Sequence, residues 1–161
     1  MTIGAICSLS SCNEKEEVMR VPDDILGIWT PDNVTYLEYS DNNEVYRLQV
    51  DYDDGETIGL WWKETYYYEP GYNLVLYVDV DDRVNVYQVV EMTQNTMTWC
   101  WVEEVNYKDA EDMGHVIGSI INKAQEGYVL NPEYYQSFTR LSRNEFFRIL
   151  ENLGIDYPLD D

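Results

Sequence analysis

Residues 34–52 read VTYLEYSDNNEVYRLQVDY. Two apolar-rich runs, 34–40 and 45–52, flank Asp41-Asn42-Asn43-Glu44, a cluster of residues that favour turns, so the stretch predicts a β-hairpin. Side chains alternate across a strand with a period of two. In the second run Tyr46, Leu48, Val50 and Tyr52 therefore share one face, and Arg47, Gln49 and Asp51 share the other. The same grammar continues downstream. Asp53-Asp54-Gly55 is a strong turn and leads into a third strand over 59–68 (GLWWKETYYY). Glu69-Pro70-Gly71 turns the chain into 73–80 (NLVLYVDV), where Leu74, Leu76, Val78 and Val80 share a face. Asp81-Asp82 leads to 83–92, and Gln94-Asn95 leads to 96–103. Antiparallel strands at short, regular spacing predict an all-β fold, an up-and-down sheet or barrel.

The period then changes. Met113, Val116, Ile117, Ile120, Ile121 and Ala124 recur at helical spacing, with Asp109 placed to cap the start and Gly127 to end it in a left-handed turn. A last strand over 134–141 precedes Ser142-Arg143-Asn144-Glu145, a capping box that opens a second helix. Phe146, Phe147, Ile149, Leu150 and Leu153 are available for packing on it, with Gly154 at its end. The accessory helices are thus expected near 109–126 and 143–153, and the acidic tail 156–161 is expected to fray.

At 161 residues the chain has the size of one domain with a real core, and 45% hydrophobic with 25% charged residues argues against wholesale disorder. Tyr 15 and Trp 5 against Phe 3 suits strands that are apolar on one side and wet on the other. A net charge of −21 disfavours nucleic acid, whose phosphates need Lys and Arg, and attachment to anionic lipid by charge alone.

The start of the chain carries an address. Residues 3–9 (IGAICSL) form an apolar run too short to span a bilayer but fit for the apolar region of a secretory signal. Leu9-Ser10-Ser11-Cys12 resembles the bacterial lipobox, in which the cysteine is diacylated and becomes the new N-terminus. Met1-Thr2 lacks the basic residue with which a signal begins, so the true start is expected upstream, or the chain has been trimmed. The expected organisation is a signal peptide over 1–11, Cys12 and a polar tether over 12–22, and the barrel domain over 23–155. Cleavage removes Cys7 and acylation consumes Cys12, leaving Cys100 without a disulfide partner. The expected location is the bacterial cell envelope, as an outer-membrane lipoprotein facing the periplasm or the cell surface, with the membrane as a partner through its lipid anchor.

Leu26-Gly27-Ile28-Trp29, at the start of the first strand, resembles the G-x-W signature of lipocalins, and the meander, helix and further strand follow in an order that fold also shows. With the lipobox, the chain resembles the lipocalin-like lipoproteins of the Bacteroides group over residues 26–141. The resemblance implies that Trp29 closes one end of the barrel with Arg140 packed over it as a structural pair. The T-D-Y turn of lipocalins is not evident, which makes a shorter or partly open barrel an expectation beside the eight-stranded calyx.

Catalytic chemistry is sparse, and an enzyme is not expected. His115 is the only histidine, and a thiol–imidazole pair with Cys100 is possible in principle, although Cys100 lies mid-strand in Thr98-Trp99-Cys100-Trp101. No G-x-S-x-G elbow, H-E-x-x-H or P-loop is present. Asp51-Tyr52-Asp53-Asp54-Gly55-Glu56 and Asp79-Val80-Asp81-Asp82 could gather oxygens around calcium, but Asp and Gly belong in hairpin turns for their own reasons. No metal or cofactor is expected. Trp61, Trp62, Tyr66, Tyr68, Trp99 and Trp101 are the candidate pocket aromatics, able to line a cavity or simply to fill a small barrel. Two functions follow: a binding protein for a small apolar or glycan ligand, or a structural module with a filled core that serves an envelope protein complex.

Overall fold

A computed structural model describes residues 25–158, residue 80 excepted. The signal, Cys12, the tether and the last three residues of the tail lie outside the described residues. The chain forms an all-β, closed, antiparallel up-and-down barrel of eight strands with two accessory α-helices among the described residues. The strands are β1 (Gly27–Thr30), β2 (Thr35–Tyr39), β3 (Glu44–Asp53), β4 (Glu56–Glu69), β5 (Leu74–Val78), β6 (Arg83–Met92), β7 (Thr96–Asn106) and β8 (Tyr135–Leu141). Helix α1 (Ala110–Glu126) bridges β7 and β8, and α2 (Arg143–Leu153) follows β8.

The partly open alternative is corrected: the barrel closes because the residues around Trp29 are themselves a strand. β1 pairs with β2 on one side and with β8 on the other, in the register Ile28 with Leu141, Trp29 with Arg140 and Thr30 with Thr139. Closure abolishes the sheet edges that would otherwise expose unpaired backbone groups. The turns use residues that tolerate left-handed backbone. Asn43 (φ 66°), Asp54 (φ 49°), Asn73 (φ 55°) and Asp82 (φ 58°) all sit between strands. Asp54 and Gly55 (φ 81°) link the paired ends Asp53 and Glu56, as a two-residue hairpin requires. Val90 of β6 and Val102 of β7 fall at register shifts, each one residue too many for the partner strand.

Both faces of the wall are apolar, for different reasons. Outside, Leu74, Leu76, Val84 and Val86 pack beneath Ile120 of α1. Ile28, Tyr36, Leu48 and Val50 pack beneath Phe146 and Leu150 of α2. Burial of each such side chain stabilises the fold by about 1.5–3 kcal/mol, which is what holds the helices to the barrel. Inside, Trp29, Leu37, Tyr39, Val45, Tyr66, Val75, Tyr77, Met97, Trp99 and Phe138 form the second core.

Local caps define both helices. Asp109 accepts from the backbone N–H of Asp112 at 2.9 Å. Ser142 Oγ accepts from the Glu145 N–H at 3.1 Å and donates to Glu145 Oε1 at 3.0 Å, so the glutamate reaches back to the hydroxyl. Gly154 ends α2 in left-handed backbone (φ 70°, ψ 28°), whereas Gly127 ends α1 at φ 95°, ψ 123°, with positive φ but outside the expected left-handed turn.

The beginning of the tail is docked, which corrects the expectation that it frays from residue 156. The carbonyl of Asp156 accepts from Trp61 Nε1 at 3.0 Å, and Tyr157 packs on Trp61 with ring centroids 5.4 Å apart. The Tyr157 hydroxyl and Arg143 both donate to the buried carboxylate of Glu38. Two donors on one carboxylate fix the strap, and the aromatic contact covers part of Trp61. No helix among the described residues is long and apolar enough to cross a membrane.

Candidate functional site: a cavity at the open end of the barrel

The two ends of the barrel differ. At one end the chain arrives at Ile25 and the β6–β7 turn folds over. The Arg140 guanidinium stands 4.2 Å from the centroid of the Trp29 ring. It donates through Nη1 to the carbonyl of Leu26 at 2.5 Å and through Nε to that of Gln94 at 2.7 Å. The indole donates to the carbonyl of Ile25 at 2.8 Å. One cation thus ties the incoming chain, the ring and the β6–β7 turn together. Gly27 makes room for it: its φ is +112°, and a Cβ there would lie 3.0 Å from Arg140 Nη1. The glycine of the G-x-W triplet therefore has a steric reason as well as a conformational one.

Above this plug the interior is filled by aromatic rings. Tyr66 packs edge-on against Tyr39 at 4.9 Å and donates to the carbonyl of Ser40 at 2.6 Å. The hydroxyls of Tyr39 and Tyr77 hydrogen-bond each other, and burial raises both phenols well above their ordinary range. Trp99 stacks on Tyr87 at 4.4 Å and meets Phe138 edge-on at 4.6 Å.

Toward the other end the filling stops. A cavity of about 220 Å³ opens between Pro31, Leu37, Tyr87, Trp99 and Phe138, with polar walls from Thr35, Arg47, Gln49 and Gln136 and the Trp62 ring at its side. Arg47 of β3 lies directly across from Trp62 of β4 in the ladder. Its Nη2 donates to Glu64 Oε1 at 3.2 Å, while Trp62 Nε1 donates to Glu64 Oε2 at 2.7 Å. The guanidinium lies 5.8 Å from the Trp62 centroid and 5.7 Å from that of Tyr77. Desolvation opposes its charge, but Tyr77 and Glu64 outweigh that and raise Arg47 above its ordinary value. Its Nε is buried and has no acceptor. Thr35 Oγ1 stands 2.9 Å from Gln49 Oε1 and 3.1 Å from Asp32 Oδ2, and its one proton is shared between them, while Trp99 Nε1 donates to Gln136 Oε1 at 3.3 Å. In Gln136 the amide oxygen is engaged within the wall.

The six aromatics chosen from the sequence separate in space. Trp62 and Trp99 line the cavity. Tyr66 and Tyr68 belong to the interior packing rather than the cavity wall. Trp101 donates to Asn85 at 3.3 Å and meets Tyr134 edge-on at 5.4 Å, away from the lining. Trp61 faces outward beneath α2, because adjacent residues on a strand take opposite faces. Missed were Arg47, Gln49, Thr35 and Gln136. The alternation had already grouped Arg47 with Gln49. What hid them is that this polar face points into the barrel, while the apolar face of β3 turns outward to α2.

The remaining candidates have other duties. Cys100 is buried, its thiol near the carbonyls of Asn131 and Trp101, both at 3.4 Å, while His115 is exposed on α1. The two do not form a pair. Asp79 Oδ1 accepts from the backbone of Asp81 at 2.8 Å and its carboxylate pairs with Arg83 at 3.2 Å, which is turn chemistry. Among the described residues no three His, Cys, Asp or Glu side chains converge as metal ligands would. No family model matches the chain, and no curated protein or solved structure matches it.

Proposed function

We propose that this chain is a lipid-tethered, lipocalin-like binding protein of the bacterial cell envelope, carrying a small molecule in the open end of its barrel. The observation that carries the reading is the cavity of about 220 Å³ between aromatic floor and polar wall. An eight-stranded barrel is just wide enough either to be filled by its own side chains or to hold one small ligand, and this one is filled at one end only. The role is non-catalytic: the charged pair in the wall, Arg47 with Glu64, is matched internally. Support for the tether is the Leu9-Ser10-Ser11-Cys12 segment and the polar stretch after it.

A thermal-shift screen of small polar and apolar rings tests the carrier role, with Thr35→Trp as a filled-cavity control. A ligand at about 100 times its Kd stabilises the native state by about 2.7 kcal/mol, so hits are readable. Hits that vanish in Thr35→Trp support the reading, and hits that persist there, or none at all, refute it. For the tether, Cys12→Ala should abolish membrane partitioning and lipid labelling. A variant that still pellets with membranes removes that part of the proposal.

A second reading has one observation in its favour. The β3–β4 hairpin runs past the barrel rim, and Ile58 and Leu60 are 38% and 47% exposed on it. Exposed aliphatic residues of this kind favour a protein contact, as a structural module of an envelope complex would make.

A further inference from the structure

The chemistry of the cavity wall narrows the class of ligand, on the premise that the cavity is a binding site at all. Size is the first constraint. At about 30 Å³ per water, 220 Å³ holds about seven waters, and an enclosed cavity of about 150 Å³ accepts benzene. One six-membered ring with substituents therefore fits, and a long acyl chain does not.

Charge is the second constraint. Arg47 is already matched by Glu64, and both Glu64 oxygens are engaged, one by Arg47 and one by Trp62. A carboxylate placed on Arg47 would stand beside Glu64, in a chain whose net charge is −21, and like charges sharing a site repel. The pair thus disfavours an anion while keeping a polar wall.

Unmet hydrogen bonding is the third. Arg47 lines the cavity with its side chain 25% exposed and commits Nη2 to Glu64, so its guanidinium, with five N–H bonds, has donors left to offer. Gln136 has its oxygen engaged by the Trp99 indole, which leaves its amide donors for a guest. A purely apolar ring would seal these donors from water with nothing to accept from them, a costly arrangement. The site calls for a ligand with several neutral acceptor oxygens. Trp62, 41% exposed at the mouth, adds a flat face whose negative quadrupole attracts polarised C–H bonds.

We infer that the cavity takes one neutral, hydroxyl-bearing ring of the class of a single sugar residue, with a ligand oxygen accepting from the Arg47 guanidinium and the ring's C–H face against Trp62. Arg47 and Trp62 face each other across β3 and β4, so one guest engages both.

The test is a tryptophan-fluorescence titration of the full chain, purified in a detergent without a sugar headgroup. The probes are the methyl glycosides of glucose, galactose and N-acetylglucosamine, glucuronate as the matched anion, and indole as an apolar ring. At least one glycoside should saturate below about 10 mM, and glucuronate should bind about tenfold more weakly or worse. Arg47→Met, which keeps the length but removes the donors, should weaken the glycoside about tenfold or more and leave indole little changed. The order of probes on the unaltered chain stands even if Arg47→Met fails to fold, and Gln136→Leu serves as the second variant. Indole binding that no glycoside displaces, or glucuronate binding more tightly than every glycoside, overturns the sugar class and leaves the carrier role intact. No saturation by any probe up to about 10 mM overturns both.

Discussion

Replacing Arg140 by alanine removes three interactions that meet at the closed end, and the structure sets the expected cost. The cation stands 4.2 Å from the Trp29 ring, a contact of about 1 kcal/mol at a partly exposed site. Its hydrogen bonds to the carbonyls of Leu26 and Gln94 come from a charged donor, and each contributes about 1–1.5 kcal/mol once solvent competition is counted. These three share one side chain and overlap, so the expected loss is about 3 kcal/mol. With a urea m-value of about 2 kcal/mol/M, the unfolding midpoint should fall by about 1.5 M. Arg140→Lys keeps the charge but cannot span both carbonyls, and about half the loss should remain. A double-mutant cycle with Trp29→Phe isolates the ring contact, with an expected coupling of about 1 kcal/mol. An Arg140→Ala loss below about 1 kcal/mol, or a coupling indistinguishable from zero, would refute the reasoning that this cation closes the barrel. Gly27→Ala refines the test. Part of its penalty, the 3.0 Å approach of the new Cβ to Nη1, should disappear in the Arg140→Ala background, while the cost of φ +112° should persist.

Gly59 lies under the C-terminal strap: an added Cβ would come within 2.7 Å of Ile155 Cγ2. Gly59→Ala should destabilise the fold by about 1–2 kcal/mol in chemical denaturation, and should cost less in an Ile155→Ala background, which removes the clashing Cγ2; an unchanged cost there would sink the strap contact. Stability should also fall in alkali. Burial pushes Tyr66 up to about 12, and burial with the Glu38 hydrogen bond pushes Tyr157 up to about 12, against about 10 in the unfolded chain. A raised folded-state value means the native state holds the phenolic proton more tightly. The contribution is full below about pH 10 and is lost as pH climbs through about 12. Urea midpoints measured across that window should decline together with the rise in tyrosinate absorbance, and a constant midpoint would contradict the assignment.

How far the sequence could be read depended on whether the information was local. Strand periodicity and turn residues are local: Asp54-Gly55 dictates a two-residue hairpin wherever it stands, and Ser142 with Glu145 caps a helix from within four residues. Seven of the eight strands and both helices follow from such signals, and the alternation on β3 separated Leu48 from Arg47 without any tertiary information. Closure is less local. It required β1, four residues long, to find β8 more than a hundred positions away in register with Arg140 opposite Trp29.

Which face of each strand looks inward was set only by the tertiary structure. Two amphipathic helices compete for the apolar faces of β3 and β5 and draw Leu48 and Leu76 outward, so the barrel interior receives the other alternation, Arg47 and Gln49 together with Val75 and Tyr77. The same choice turned Trp61 out and Trp62 in, although they are adjacent. Periodicity states which residues share a face. Only the packing of helices against the wall, which buries Leu48 and Leu76 on its outer side, decides that the polar face of β3 becomes the wall of a cavity.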